Sequence, residues 1–289
     1  MEWVNAIVQG VLLGGLFALF ATGLSLIFGV MRLVNLAHGD LIILAAFLGL
    51  AVVEGMGLHP LVSLAVVVPA MALLGYLLQR GLLNFTLGSG DILPPLLVTF
   101  GLSIVIQNGL LQVFSADTRK LQVGALGTDS VAIGGGLSVG WFPLMVLGVA
   151  VAVIGGLQLF FYRTRMGRIF RATSDNPAVV RLMGIDHRHV FALAMALALA
   201  VCAIAGILMA IRTNFTPTIG PARLLFAFEA VIIGGLGSLW GTLVGGIILG
   251  VAQAIGAQIH PGAQILAGHL AFLAVLVVRP QGLFPRTRD

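Results

Sequence analysis

Long stretches without a charged side chain constrain the fold of this chain more than any other feature of its sequence. Residues 4–28 and 190–211 contain no Asp, Glu, Lys or Arg. A helix needs about 20 mostly apolar residues to cross the roughly 30 Å hydrocarbon core of a bilayer, and both stretches are long enough. A helix of this length in a soluble protein would show a polar face. We therefore predict an integral membrane protein.

The composition agrees with this prediction and excludes other classes. Only 9% of the 289 residues are charged, whereas soluble domains carry about 25%. The net charge of +5 comes from basic residues near helix ends, which is typical of membrane proteins, so we expect no nucleic-acid partner. The single cysteine, Cys202, excludes a disulfide framework and a cysteine metal site. The first residues lack a basic signal-peptide leader, so we expect the first apolar stretch to be a permanent span.

The apolar periodicity predicts one all-α membrane domain, a polytopic bundle of eight or nine transmembrane helices. The predicted spans cover residues 4–30, 41–57, 61–79, 94–114, 141–162, 190–211, 224–237, 241–258 and 263–278.

Three segments depart from simple crossings. Residues 31–40 are mildly polar and could turn inside the membrane or outside it. The glycine-rich pair 224–237 and 241–258 is short for two full crossings, which indicates a broken or re-entrant helix. Such a helix is tolerated only where protein or a water-filled cavity surrounds it. The glycines within 115–140 predict a small hairpin or an irregular cap.

The distribution of basic residues predicts the orientation. Residues 163–189 carry the largest basic cluster, and the C-terminal tail carries three more arginines. When the spans are threaded alternately, this face collects eleven of the fifteen Lys and Arg residues. The other four are Arg119, Lys120, Arg212 and Arg223. Because cytoplasmic loops are enriched in Lys and Arg, we predict a cytoplasmic C-terminus and an external N-terminus.

The basic segment also contains the signature of a short helix. Ser174 or Asp175 is a candidate N-cap, Pro177 falls in the first turn, and Gly184 suits the position just beyond the end. The apolar edge of this helix is formed by Val179, Leu182 and Met183. Two interpretations of this segment are possible: a basic loop that anchors the topology, or a helix that docks to a partner. The capped helix favours docking.

Polar residues at membrane depth are the other candidates for function. The segment between the first two spans contains three polar residues, Asn35, His38 and Asp40. They either have separate structural roles or form a shared network that fixes a broken helix. Glu229 lies about 9 Å below the outer end of its helix, counted from Arg223 at 1.5 Å per residue. A buried acid there needs an aqueous cavity or a partner. The candidate partners are Arg223 and Arg212.

Five sequence segments together resemble a known family. The segment 167–185 contains Gly-Arg, Arg-Ala-Thr, Asp-Asn and Arg-Leu-Met-Gly-Ile. The others are 35–39 (Asn-Leu-Ala-His-Gly), 217–220 (Pro-Thr-Ile-Gly), 234–238 (Gly-Gly-Leu-Gly-Ser) and 279–284 (Arg-Pro-Gln-Gly-Leu-Phe). In combination they resemble the permeases of branched-chain amino acid ABC transporters, and most closely the LivH type. The resemblance extends over nearly the whole chain.

The resemblance implies a binding-protein-dependent importer in the bacterial inner membrane. Such an importer has two different permease subunits, two ATPase subunits that hold ATP and Mg²⁺, and a periplasmic substrate-binding protein. The chain has no Walker sequence, so we expect no cofactor on it. The implied ATPase-coupling residues are Arg171, Asp175, Asn176, Pro177, Arg181, Leu182 and Gly184. From their position at membrane depth or in the glycine-rich turn, the candidate path or gate residues are Asn35, His38, Asp40, Glu229, Gly234, Gly235 and Ser238.

Other functions stay open on the sequence alone. Branched-chain amino acids are the first substrate class, and urea or short amides are the second. The family pattern has a basic residue where Phe226 stands and a neutral one at Glu229, and an acid near the path suits an amino or amide donor. A secondary transporter would need intramembrane ion or proton sites, for which Glu229 and His269 are candidates. The chain has none of the common hydrolase or metalloprotease motifs, which disfavours an enzyme.

Overall fold

The fold is described from a computed structural model. It describes residues 2–86, 93–127, 129–134 and 137–284. The two C-terminal arginines that contribute to the predicted charge asymmetry, Arg286 and Arg288, lie outside the described residues, as do two of the glycines in the predicted 115–140 cap.

Helices account for nearly all of the regular structure in these residues. They are α1 (Glu2–Met31), α2 (His38–Met56), α3 (Leu64–Gly81), α4 (Leu93–Phe114), α5 (Trp141–Arg163), α6 (Arg165–Asp175), α7 (Pro177–Leu182), α8 (His187–Arg212), α9 (Gly220–Gly234), α10 (Leu239–Ile259) and α11 (Gln264–Val278).

Eight helical segments of the described chain are long and apolar enough to cross a membrane, which confirms the predicted polytopic bundle. The exception among the predicted spans is α9. Its 15 residues measure about 22 Å, less than the roughly 30 Å of a hydrocarbon core. The helix begins four residues before the predicted start. It ends three residues before the predicted end, because Gly235 has φ +102° and breaks the helix. The prediction of a short or broken segment here is confirmed.

The first helix break lies between α1 and α2. Residues 32–37 are not helical, and α2 begins at His38, three residues earlier than predicted. The Nε2–H of His38 donates to the carbonyl oxygen of Phe20, 2.9 Å away. Phe20 precedes the end of α1 by eleven residues, or about 16 Å along the helix. The chain therefore turns back inside the bundle, and α2 begins beside the middle of α1.

The second break lies between α8 and α9, and it meets the first. A Cβ added at Gly39 would overlap the backbone of Gly220, and one added at Gly220 would overlap the carboxylate of Asp40. The starts of α2 and α9 are thus in direct backbone contact. Small residues permit such close approach between membrane helices.

The centre of the bundle is formed by α1 and α8, which are the most buried spans. Glycines bring α10 against α1, since a Cβ at Gly14 or Gly246 would overlap the backbone of the other helix. Gly75 brings α3 against Met195 of α8 in the same way. The last helix, α11, packs on the periphery and is mostly exposed.

The segment between α4 and α5 covers one end of the bundle. It contains two antiparallel strands, β1 (Ser130–Gly134) and β2 (Leu137–Gly140), so of the two predicted alternatives, a hairpin or an irregular cap, the described residues show paired strands. Arg119 pairs through its backbone with Phe215, just after α8. This end lies opposite the end that carries α6 and α7, and we call the latter the basic face.

Candidate functional sites

The predicted short helix exists as α7, but its cap differs from the prediction. The side chain of Asn176 accepts hydrogen bonds from the backbone N–H groups of Ala178 (3.0 Å) and Val179 (3.2 Å). Ser174 and Asp175, the predicted caps, instead form the last turn of α6. The prediction was wrong because the extended backbone of Asn176 separates two helices where the sequence indicated one. Gly184 follows α7 at φ +78°, as predicted.

An apolar surface projects from α7 on the basic face. Leu182 is 88% exposed and Met183 is 71% exposed, whereas Val180 is buried and holds the helix to the bundle. The predicted coupling residues Asp175, Asn176, Pro177, Arg181 and Gly184 are exposed as well. Large apolar side chains at such exposure, set among basic residues, are typical of a protein-interaction surface.

The preceding helix, α6, anchors α7 to the bundle. Thr164 caps α6 by accepting from the N–H of Gly167 at 3.0 Å, and Phe170 is buried. At its other end, the Ser174 hydroxyl donates to the carbonyl oxygen of Gly29 in α1 at 2.6 Å. Arg32, the first residue of the first break, donates to the carbonyl oxygen of Ser174 at 3.4 Å. A displacement of α7 would therefore reach the end of α1.

Arg171 differs from the other predicted coupling residues because its side chain lies against the bundle. Its guanidinium carbon is 4.7 Å from the centroid of the Tyr162 ring in α5, a cation–π geometry. The structure therefore separates this arginine from the exposed surface of α7.

Three polar residues in and just after the first break, Asn35, His38 and Asp40, are buried, and each has its own hydrogen bond. Asn35 accepts from the N–H of Ala37 at 3.0 Å, and His38 binds the carbonyl oxygen of Phe20. Cys202 of α8 lies 3.7 Å from the Nδ1 of His38. These contacts hold the non-helical segment inside the bundle, as one of the two interpretations of the sequence predicted.

Asp40 lies where the two breaks meet. Its Oδ2 accepts from the hydroxyl of Ser103 in α4 at 2.6 Å, and Ser103 accepts in turn from Gln107 at 3.1 Å. The carboxylate also lies against Gly220, the first residue of α9. The helix dipole favours a negative charge at the start of a helix. Asp40 lies in the first turn of α2 and against the first residue of α9, so both helix dipoles favour its charge. The sequence analysis missed Ser103 and Gln107, whose spacing of four residues puts them on one face of α4.

Glu229 is buried, and its partner is His269 of α11, not Arg223 or Arg212. Glu229 and His269 form a close hydrogen bond, while Arg212 donates to the carbonyl oxygen of Leu12. Arg223 precedes Glu229 by six residues, which rotates the two side chains onto different faces of a helix with 3.6 residues per turn. Of the two predicted alternatives, a partner or an aqueous cavity, the structure shows a partner, and it corrects the identity of that partner.

The glycine-rich turn forms a second cluster at the other end of α9. Gly234 packs directly on the backbone of Gly241, and Ser238 caps α10 by accepting from the N–H of Gly241 at 3.1 Å. The N–H of Phe284 donates to the carbonyl oxygen of Gly234 at 3.0 Å. The predicted gate residues therefore lie in two groups at the two ends of α9, with Glu229 between them in α9, and the structure does not bring them into one site.

The fold and these sites define a polytopic helical membrane protein with two internal helix breaks and one short helix projecting from its basic face. Residues 6–278 match the family described as the permease component of the branched-chain amino acid transport system. The chain belongs to this family, and the resemblance stated from the sequence is confirmed.

Named relatives cover nearly the whole chain. The high-affinity branched-chain amino acid transport system permease protein BraD of Pseudomonas aeruginosa is 30% identical, over 99% of this chain and 96% of its own length. The corresponding LivH protein of Escherichia coli is 26% identical, with the same coverage. The permease protein LivM of Salmonella typhimurium is 28% identical, over 94% of this chain and 68% of its own. The chain is thus similar to permease proteins of three different names, BraD, LivH and LivM.

Proposed function

We propose that this chain is one of two non-identical permease subunits of a binding-protein-dependent ABC importer for branched-chain amino acids in the bacterial inner membrane. Two ATPase subunits would hold ATP and Mg²⁺, and a periplasmic protein would deliver the substrate. The observation that carries the proposal is α7, an exposed apolar helix that is tied to the bundle at both ends, in a chain of this permease family.

The proposed mechanism begins with docking of α7 into a groove of an ATPase subunit. Leu182 and Met183 supply the exposed apolar contact. Because α6 is held to α1 by Ser174 and to α5 by Gly167, a rigid-body motion of the ATPase moves the end of α1 rather than bending a loop. The docking helix α7 is thus held at its start through α6, and at its end it continues within a few residues into the buried span α8.

The next step links that motion to the centre of the membrane. The end of α1 leads directly into the first break, which holds Asp40 against the start of α9. At its other end, α9 stops at Gly234 and packs on the start of α10. We propose that α9 moves between these two contacts as the gate, and that the path runs beside it. Gly235, with φ +102°, is the hinge position.

The proposed orientation puts the basic face in the cytoplasm, where the ATPases lie. The N-terminus of α1 is then external and the C-terminus of α11 is cytoplasmic. The support is the sequence distribution of Lys and Arg, since threading the predicted spans alternately collects eleven of the fifteen on the side of the 163–189 segment.

The second permease is proposed because the relatives from one organism, Salmonella typhimurium, include a LivH protein and a LivM protein. The experiment reconstitutes the chain with a LivM-type permease, both ATPases and the binding protein, and measures ATP turnover. Leucine-loaded binding protein should stimulate turnover several-fold in the complete assembly. Stimulation should vanish when the second permease is omitted. Full stimulation by this chain as the sole permease would overturn the two-permease assembly.

A further inference from the structure

A cavity on the basic face lies beside the hydrogen bond between Ser174 and Gly29 that joins α6 to α1. It has a volume of about 360 Å³ and lies between the ends of α1 and α5, the inner side of α6 and the start of α10. Sites for small molecules have volumes of about 300–1,000 Å³, so this cavity is large enough for a small ligand.

Two buried polar atoms in the cavity wall have no hydrogen-bond partner in the described residues. One is the hydroxyl of Ser25, whose residue is 1% exposed, and the other is the Nε of Arg171. A buried donor without a partner is costly and rare in folded proteins. Both atoms belong to residues that line the same cavity, on α1 and α6, which indicates an occupant that accepts hydrogen bonds.

The charge of the wall selects the kind of occupant. Among the described lining residues, Arg171 carries the only formal charge, and none is a carboxylate. The planar guanidinium group of arginine suits a carboxylate or phosphate. Leu26, Val30 and Phe161 supply an apolar wall. A zwitterion such as a free amino acid would leave its ammonium group without a counter-charge among these residues.

The cavity opens to the surface at an edge formed by two partly exposed aromatic side chains. Trp240 and Phe284 line it while remaining 45% and 49% exposed. An occupant can therefore enter from the medium at the basic face or from the adjacent bilayer.

We propose that this cavity is a binding site for a small amphipathic anion, whose carboxylate or phosphate oxygen binds Arg171 and Ser25 while its apolar part lies along α1 and α5. The site is distinct from the exposed surface of α7 and goes beyond the proposed transport function. Two sources have this chemistry: a soluble monocarboxylate and the head group of an anionic lipid. Either would bridge α1 to α6.

The test uses the intrinsic fluorescence of Trp240 in the purified full chain. The chain has three tryptophans, and Trp3→Phe with Trp141→Phe leaves only the one at the cavity. In phosphatidylcholine nanodiscs, 4-methylpentanoate should give a saturable change, and the neutral 4-methylpentanamide should give none. Arg171→Gln should weaken binding roughly tenfold or more, since it removes a charge-assisted hydrogen bond.

The matched control is Arg168→Gln, on the same helix but outside the cavity, which should leave binding unchanged. Arg171→Lys keeps the charge and should give intermediate affinity, so the test survives if Arg171→Gln does not fold. Ser25→Ala should weaken binding without abolishing it.

The two sources are separated by changing the lipid. If the occupant is a lipid, nanodiscs with phosphatidylglycerol should change the Trp240 emission without added carboxylate, and Arg171→Gln should abolish this change. If it is a soluble anion, phosphatidylglycerol should have no effect. The proposal is overturned by an equal response to acid and amide, by equal binding in the Arg171→Gln and Arg168→Gln variants, or by no response to either source.

Discussion

Gly39 and Gly220 allow the two helix breaks to meet. An added methyl group at Gly39 has no free space, because the backbone of Gly220 occupies it. We expect Gly39→Ala to cost about 1–3 kcal/mol, the usual cost of overpacking a filled interior. The measurement is the yield and thermal stability of the purified chain. Gly148→Ala is the matched control, since a Cβ there meets nothing within 4 Å. Equal stability of the two variants would contradict the close contact.

The hydrogen bond between Glu229 and His269 joins α9 to α11. Glu229→Gln keeps the shape and removes the charge, and we expect a loss of roughly 1.5–3 kcal/mol of stability. His269→Gln should have a similar effect, and the double variant should be less than additive because the two residues share one interaction. The measurement is thermal unfolding of the assembled transporter, with Glu54→Gln, an exposed glutamate, as control.

The same variants test whether Glu229 borders the transport path, as the sequence predicted. If the pair only joins two helices, the Glu229→Gln transporter that does assemble should keep the KM of the wild type. A changed KM or substrate preference at unchanged stability would assign Glu229 to the path instead.

At the scale of single elements, α7 carries the coupling proposal. Leu182→Asn replaces an 88%-exposed apolar side chain and should leave insertion and folding intact while weakening the docking contact. We expect substrate-stimulated ATP turnover to fall at least several-fold, since exposed apolar anchors carry much of the energy of an interface. Phe85→Asn makes the same kind of change at another exposed apolar side chain, 79% exposed, and should have little effect. Equal turnover in both variants would remove α7 from the coupling contact.

The elements themselves were largely predictable from the sequence, because membrane spans depend on length and apolar composition alone. The existence and order of the nine predicted apolar segments agree with the structure. The α6 helix was missed because three of its eleven residues are arginines, which is typical of a basic loop, and because its boundary with α7 depends on one extended residue, Asn176. The partner of Glu229 was missed because His269 is 40 residues away. Contacts between distant segments depend on packing, which periodicity does not encode.

At the scale of the whole molecule, the proposed orientation rests on the placement of basic residues. The only cysteine, Cys202, is buried, so Cys202→Ala gives a background for labelling. Asp117→Cys, in the segment opposite the basic face, should react with a membrane-impermeant maleimide in intact cells. Arg168→Cys should react only in inverted vesicles. The reverse pattern would place the basic face outside and contradict the proposed contact with cytoplasmic ATPases.

The source of energy for transport tests the central claim most directly. The complete assembly is reconstituted in proteoliposomes with the binding protein and radiolabelled leucine on the side that corresponds to the periplasm. The account predicts that uptake requires ATP and the binding protein, and that it persists without an ion gradient. A secondary transporter would instead accumulate leucine from a proton or sodium gradient without ATP. Gradient-driven uptake by this chain without ATPase subunits would contradict the account.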